Sequence, residues 1–326
     1  MKEINILVLS AGRRVELIER FKVARMRLGI GGKVVAVDIS RTAPAIYFAD
    51  CFHIIPRVSE ENYIDEIIRV CKEESISLIV PTIDTELLKL SEHRERIEKN
   101  TSAKLLLSND KMINICRDKT NTQRFFEENG FGVPKMLTQE DIENGNYKFP
   151  LFVKPLDGSS SINTFKVKNR EELEFFTHYI DKPMVQEFIE GVEYSVDVFC
   201  DFDANPVTVV PRIRLATRSG EISKGQIFKD REIIDDALRL VDALKPIGHI
   251  TVQCMKNKKG IEYIEINPRF GGGAPMSIDA GANSCENLYR LLMGEKLNYN
   301  EDYTDKATFV RFDSSIMLNE NTERIK

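Results

Sequence analysis

The sequence predicts an α/β unit built on a parallel sheet, followed by an α+β region dominated by antiparallel strands. Two patterns and a length predict it. Over the first hundred residues short apolar runs alternate with helical periodicity, whereas beyond Val133 strand-like runs follow one another across turns. The 326 residues also exceed what one core usually organises, so two or three domains are expected.

In the first unit, Ile4 to Leu9 reads as a buried strand and Val15 to Leu28 as an amphipathic helix. Lys33 to Val37 is a second strand ending at Asp38, Tyr63 to Glu73 a helix, Leu78 to Val80 a strand and Thr85 to Lys99 a helix. Leu105 to Leu107 closes the set. This alternation predicts a parallel sheet covered on both faces. Ligands of such sheets sit beyond the carboxyl ends of the strands, marked here by Ser10 to Arg14, Asp38 and Pro81 to Asp84. Asp38, ending the second strand, is the one feature there that suggests a nicotinamide dinucleotide. The first loop has one glycine followed by two arginines, and lacks the GxGxxG spacing that lets a pyrophosphate approach the backbone.

A helical stretch from Asn109 ends at Gly130, ahead of Pro134. Phe149 to Pro155, Thr164 to Val167, Met184 to Phe188, Tyr194 to Cys200, Thr208 to Val210, Ile250 to Met255 and Glu262 to Ile266 then read as strands. Helices intervene at Arg170 to Ile180 and Arg231 to Leu244.

Composition bounds the function. Apolar residues make up 42% and charged residues 30%, an ordinary globular balance. The net charge of −5 argues against nucleic acid as a partner, since phosphate backbones need a basic surface. No apolar run approaches the roughly 18 residues that span a bilayer, so no membrane partner is expected either. The N-terminus passes from one charged turn into a strand without a signal-peptide pattern. Six scattered cysteines, with no CxxC pair and no histidines at metal-ligand spacing, read as reduced thiols in a cytoplasmic protein. His53, His93, His178 and His249 read as structural or surface residues, and no nucleophilic serine or cysteine motif appears.

The strongest chemical signal is the run Ile261 to Phe270. Alternation puts Glu265 and Asn267 on one strand face, with Ile264 and Ile266 on the other. A carboxylate and an amide oxygen two residues apart suit a hard cation. Gln253, across a hairpin turned at Lys258-Lys259-Gly260, offers a third oxygen, and Arg269 on the same face offers a planar fork for phosphate or carboxylate. A second signal is Lys154, which ends an apolar strand before a loop containing Ser159, Ser160 and Ser161, whose backbone and hydroxyls can cover phosphate oxygens. The third is Gln186-Glu187-Phe188-Ile189, a strand end that offers main-chain groups to an adenine edge, with Glu193 for a ribose hydroxyl. Taken singly, the second and third are also what ordinary strands and turns look like. Arg212 and Arg214 alternate onto one strand face as two carboxylate-binding groups would, with Arg218 and Lys224 nearby; exposed basic residues of a hairpin read the same way. Gly271 to Gly273 permits close approach to a substrate, or is only a bend.

In their order along the chain, Asp118-Lys119, Lys154, Glu187, Glu193, Gln253, Glu265 and Asn267 resemble the ATP-grasp superfamily, most closely the large chain of carbamoyl-phosphate synthetase and the carboxylate–amine ligases. The resemblance runs from Ile4 to about Gly294. It implies a Rossmann-like domain over residues 1–108, a small lid subdomain with a linker helix over 109–183, and a larger metal-binding subdomain over 184–326. By position it implies that Lys119 and Lys154 contact the ATP phosphates, and that Glu187 and Ile189 line the adenine edge while Glu193 holds the ribose. Gln253, Glu265 and Asn267 then hold Mg²⁺, or Mn²⁺ in its place, and Arg269 faces the acyl phosphate. Two lysines stand where the synthetase has arginines, and the phosphate loop is serine-rich rather than glycine-rich. The implied reaction joins a small carboxylate to an amine through an acyl phosphate, with a homodimer as the assembly to look for. The alternative is an ATP-binding regulatory or scaffold protein without turnover. Carbamoyl-phosphate synthesis itself is not expected, because that enzyme joins two such halves.

Overall fold

A computed structural model describes residues 3–156 and 162–325, and these residues form three sheets. The first is parallel, ordered β3-β2-β1-β4-β5, from β1 (Asn5–Val8), β2 (Val34–Asp38), β3 (Cys51–Ile54), β4 (Ile76–Val80) and β5 (Lys104–Leu105). β1 and β2 are buried at every position, as the apolar runs require of a sheet covered on both faces. The covering helices are α1 (Val15–Arg27), α2 (Tyr63–Glu73), α3 (Asp84–Glu92) and α4 (Arg94–Asn100). In α2, Tyr63, Ile64, Ile67, Ile68 and Cys71 form one buried stripe at helical spacing. The helix expected over Thr85 to Lys99 is two, broken at His93. The edge strand β3 was not anticipated; all four of its residues are only half-buried, so it lacks the apolar run that marks its neighbours.

Two further helices, α5 (Asp110–Arg117) and α6 (Lys119–Glu128), stand where one helical stretch was expected. Asp118 separates them: its side chain accepts from the N–H groups of Thr120 and Asn121 and so starts a new helix. After a short α7 (Gln139–Glu143), a three-stranded antiparallel sheet forms from β6 (Leu151–Pro155), β7 (Phe165–Val167) and β8 (Pro183–Glu187), with α8 (Arg170–Tyr179) packed on it. Its core is small, built on Leu151, Val153, Val167, Leu173 and Val185.

The third sheet comprises β9 (Val192–Cys200), β10 (Pro206–Arg218), β11 (Glu221–Ile227), β12 (Gly248–Asn257), β13 (Gly260–Asn267) and, further on, β14 (Thr308–Val310). The β10–β11 turn is Ser219-Gly220, both with positive φ, as tight hairpin turns need. α9 (Arg231–Leu244) covers one face with Ile233, Ile234, Ala237, Leu240, Val241 and Leu244. Met112, Phe125 and Phe126 pack into this same core, so the helices of 110–128 lie on the six-stranded sheet rather than with the three-stranded one. The expected boundary at 183/184 falls inside β8. Lastly, α10 (Ala274–Ser277) and α11 (Ser284–Leu292) return to the parallel sheet, where Phe270, Cys285, Leu288 and Tyr289 join Phe21 in one core.

Candidate active site

Two cavities meet over β12 and β13. One, of about 370 Å³, lies between the three-stranded and six-stranded sheets and is lined by Lys119, Lys154, Glu193, Gln253 and Glu265, with Gln186 to Ile189 along one wall. The other, of about 550 Å³, shares Lys119, Gln253, Ile264 and Glu265 and runs on past Asn267 and Arg269 to Arg14, on the loop that leaves β1, and Asp84, the first residue of α3. Both volumes are in the range that holds small ligands.

Glu265 is the meeting point. Gln253 Nε2 donates to its Oε1 at 2.6 Å and Asn267 Nδ2 donates to the same oxygen at 2.9 Å. The pairing of β12 with β13 sets this up, because Gln253 stands opposite Glu265 in the ladder. Asn267 Oδ1 accepts from Arg269 Nη2 at 2.9 Å, and that guanidinium also holds Asp84 Oδ2 at 2.6 Å. One carboxylate flanked by two amides is a donor set of the kind a hard divalent cation takes. For both amides to serve, each must turn its oxygen toward the ion. The expected placement of Ile264 is corrected: it lines both cavities beside Glu265. The register slips between Gln253↔Glu265 and Cys254↔Tyr263, a bulge at Ile264 that leaves Tyr263 and Ile266 to fill the core.

Lys154, the last residue but one of β6, is buried and lines the first cavity. Burial lowers its pKa to about 8, helped by the neighbouring Lys119 and opposed by Glu265. Lys119 Nζ donates to the carbonyls of Pro155 at 2.7 Å and Leu156 at 3.1 Å, at the root of the serine loop. Ser159, Ser160 and Ser161 themselves lie outside the described residues. Gln186 is buried and bonded to Gln123 Oε1 at 3.0 Å, so its side chain is an internal brace behind the wall formed by Glu187, Phe188 and Ile189.

Both basic residues expected on one face of β10 are engaged internally. Arg212 is fully buried and pairs with Asp197 at 2.9 Å. Arg214 lies 2.9 Å from Glu193 and donates to the Gly220 carbonyl at 3.0 Å. Glu193 thus has a cationic neighbour as well as a place in the smaller cavity, and burial raises its pKa against the pull of Arg214. Arg218 pairs with the exposed Asp313 and lines neither cavity.

Several organising residues carry no local sequence signal. Asp197 collects Arg212, Thr251 and Ser277, with His249 at 3.6 Å, and these partners hold its carboxyl well below the usual range despite burial. His249 also stacks on Phe270 at 4.3 Å, a structural role. Glu86, fully buried, accepts from Ser10 Oγ at 2.6 Å, Thr82 N at 2.7 Å and the Tyr63 hydroxyl at 3.0 Å, tying the β1 and β4 loops together. Away from both cavities, Cys51, His53 and Glu74 bring their ligand atoms within 4.8 Å of one another, although cysteine spacing gave no such signal. Cys51 and His53 share a face of β3, and Glu74 reaches them from the end of α2.

The parallel domain and the cavity-bearing sheets together define an ATP-grasp enzyme. Residues 6–104 match the model of the PylC-like N-terminal domain and residues 116–273 that of the ATP-grasp domain, and the chain belongs to the ATP-grasp superfamily. A D-alanine–D-alanine ligase B of Clostridium perfringens is 24% identical over 209 residues, covering 56% of this chain and 69% of the relative. A carbamoyl-phosphate synthase of Methanobrevibacter smithii is 23% identical over 135 residues, 40% of this chain and only 37% of the relative. Among solved structures, the biotin carboxylase domain dimer of the Hydrogenobacter thermophilus 2-oxoglutarate carboxylase, in complex with MgADP and bicarbonate, superposes with a TM-score of 0.70 at 19% identity. That match covers 93% of this chain and 73% of the other.

Proposed function

We propose that this chain is a magnesium-dependent ATP-using ligase that activates a small carboxylate as its acyl phosphate and passes the acyl group to an amine. The observation that carries the reading is the convergence of Gln253, Glu265 and Asn267 at the junction of the two cavities, opposite the buried cation of Lys154. ATP fits the smaller cavity, with its phosphates toward Lys154 and Lys119 and its base against Glu187 to Ile189. The carboxylate and the amine enter from the larger one. Two anions must meet there, so the protein's task is to neutralise charge and hold the reactants in line. A carboxylate oxygen attacks the γ-phosphorus, ADP leaves, and the amine then attacks the acyl carbon and expels phosphate. Arg269 stands beside Asn267, where it neutralises the acyl phosphate while Asp84 fixes its fork. Gln253, Glu265 and Asn267 are the residues to hold Mg²⁺, for which Mn²⁺ is the natural substitute; bound there, the ion draws charge from the phosphate oxygens.

Relatives named as a D-alanine–D-alanine ligase and, among folds, an L-amino acid ligase support carbon–nitrogen bond formation. Six unpaired cysteines support a reducing cytoplasm as the place of work. A dimer is the assembly to test by light scattering, since one fold neighbour is a dimer. Hydroxylamine traps acyl phosphates as hydroxamates, so the activity can be tested before the natural amine is known. With Mg²⁺, ATP, hydroxylamine and a carboxylate pool, the wild type is expected to release ADP and form hydroxamate. Glu265→Gln, folded by circular dichroism, is expected to lose at least 100-fold in turnover. Tight ATP binding with no turnover in any pool would instead identify a scaffold, and near-normal activity of Glu265→Gln would remove the cation site.

A further inference from the structure

The two cavities differ in how their charges are matched, and the difference concerns the substrate. Of the guanidiniums that line the larger cavity, Arg212, Arg214 and Arg269 each hold an internal carboxylate at 2.6 to 2.9 Å. Arg14 and Arg117 have no carboxylate within 4 Å among the described residues. Arg117 sits two positions from Lys119, at the nucleotide end. Arg14 lies outside the lining of the nucleotide cavity, near Arg269, and opens onto a small side cavity lined by the loop that leaves β1 and by Glu16, Glu221 and Arg311. Its side chain makes a single long hydrogen bond, 3.3 Å from Nη2 to the Thr82 carbonyl. Burial, and then the nearby charge of Arg269, lower its pKa to about 10 against the opposing pull of Glu221 and Asp84, so it stays charged at neutrality. Glu221 and Asp84 are near enough to favour its charge, but neither pairs with it, and a partly buried cation with no paired carboxylate is costly unless something anionic completes it.

The loop that presents Arg14 is built to stay in place. Gly12, at φ +47°, donates its N–H to Asp38 Oδ2 at 2.8 Å, and Ala11 N bonds to the Val37 carbonyl at 3.0 Å. Ser10 is held by the buried Glu86, and Thr82 Oγ1 caps the carbonyls of Leu9 and Ser10 at 2.9 Å each. On the opposite wall Gly272 leaves the room: a Cβ there would come within 2.9 Å of Arg14 Nη1 and 3.0 Å of Glu221 Oε1. Such fixing is what a recognition group needs, since a charge held in position loses little entropy on binding.

From this we infer that the carboxylate substrate carries a second anionic group, a carboxylate or a phosphate, which Arg14 receives in the larger cavity, past Arg269 and outside the nucleotide cavity. The inference rests on the ligase reading, because that reading places the reacting carboxylate at the Glu265 and Arg269 end. Arg14 is then a specificity-determining residue: it touches the substrate away from the reacting atoms. Monocarboxylates of equal length would leave it unpaired.

Binding can be measured without turnover. The full chain, loaded with Mg²⁺ and the non-hydrolysable analogue AMPPNP, is titrated calorimetrically with butyrate, valerate and hexanoate. It is then titrated with succinate, glutarate and adipate, and with 3-phosphonopropionate and 4-phosphonobutyrate. At least one two-anion compound is expected to bind 10-fold or more tightly than its monocarboxylate of matched length. The dicarboxylate and phosphonate arms decide which second anion is preferred. Arg14→Met, which keeps an apolar stem, is expected to remove that preference while AMPPNP affinity and monocarboxylate affinity stay within 2-fold. Arg14→Lys is expected to restore part of it. If AMPPNP does not bind, the ligase reading fails. If it binds but every matched pair of carboxylates is equal, or Arg14→Met weakens all ligands alike, the second-anion inference fails and the ligase reading stands.

Discussion

Lys154 shows what a single buried residue contributes and how far its role was legible. A lysine closing an apolar strand before a Gly-Ser loop reads as a phosphate contact, but nothing in the run Leu151 to Pro155 announces that Lys119 stands near enough to disfavour its proton. With its pKa lowered to about 8, the free protein keeps Lys154 charged below pH 8 and loses that charge above it, well before an exposed lysine would. A bound polyphosphate favours the charged form, so it must raise this pKa. ATP affinity is therefore expected to fall by roughly tenfold per pH unit as pH rises past 8, until the pKa of the complex is reached, with net proton uptake on binding in that range. Calorimetry at pH 7, 8 and 9 in buffers of different ionisation enthalpy measures both. Lys154→Ala should bind ATP more weakly at pH 7 and flatten the step; an unchanged step in that variant would assign the titration elsewhere. Asp197 is the contrasting case. In Val196-Asp197-Val198 it looks like any polar residue in an alternating strand, and its partners at 212, 251 and 277 are too distant in sequence for spacing to reveal them.

At the level of elements, strands and helices with strong periodicity were legible, and α2 and α9 begin and end where their apolar stripes do. What escaped was set by partners rather than by propensity. The bulge at Ile264 depends on β12, and β3 owes its place to pairing with β2. The glycine run after β13 read equally as a bend or as a close approach, and the structure separates its members. A Cβ on Gly273 would meet Arg212 Nη1 at 2.4 Å and Ile222 Cγ2 at 2.6 Å, so this glycine is where the chain passes over the buried ion pair. Its φ of −95° is open to any residue, which makes contact, not backbone strain, the cost of substitution. Gly273→Ala must push a guanidinium that is locked to Asp197, and is expected to destabilise the protein by about 1–3 kcal/mol, as overpacking does. Urea unfolding checks this; a change below about 0.5 kcal/mol, the range of ordinary surface substitutions, would mean that Arg212 gives way freely.

For the whole molecule, the succession of a parallel unit and an antiparallel region was readable from the change in periodicity. The return of α10 and α11 onto the first sheet was not, because Cys285, Leu288 and Tyr289 show only an apolar stripe and not what it packs on. That return joins the parallel sheet to the six-stranded one through a shared core around Phe21 and Phe270. The three-stranded sheet is tied in differently. It keeps its own small core and meets its surroundings through polar links, among them Gln186 with Gln123 and Lys119 with the carbonyls of Pro155 and Leu156. Few buried apolar contacts mean a low free energy of local opening. A nucleotide in the smaller cavity would touch Lys154 on this sheet and Glu265 on the other, adding the contacts that the polypeptide itself does not supply. Binding of Mg²⁺-AMPPNP is therefore expected to slow amide exchange across residues 151–156 and 183–187 by tenfold or more, with β1, β2 and β4 changed by less than twofold. Exchange followed by mass spectrometry on peptides from both regions decides it: equal protection in the two regions would mean global stabilisation by the ligand, and protection confined to the parallel sheet would place the nucleotide beyond the carboxyl ends of β1 and β4 instead.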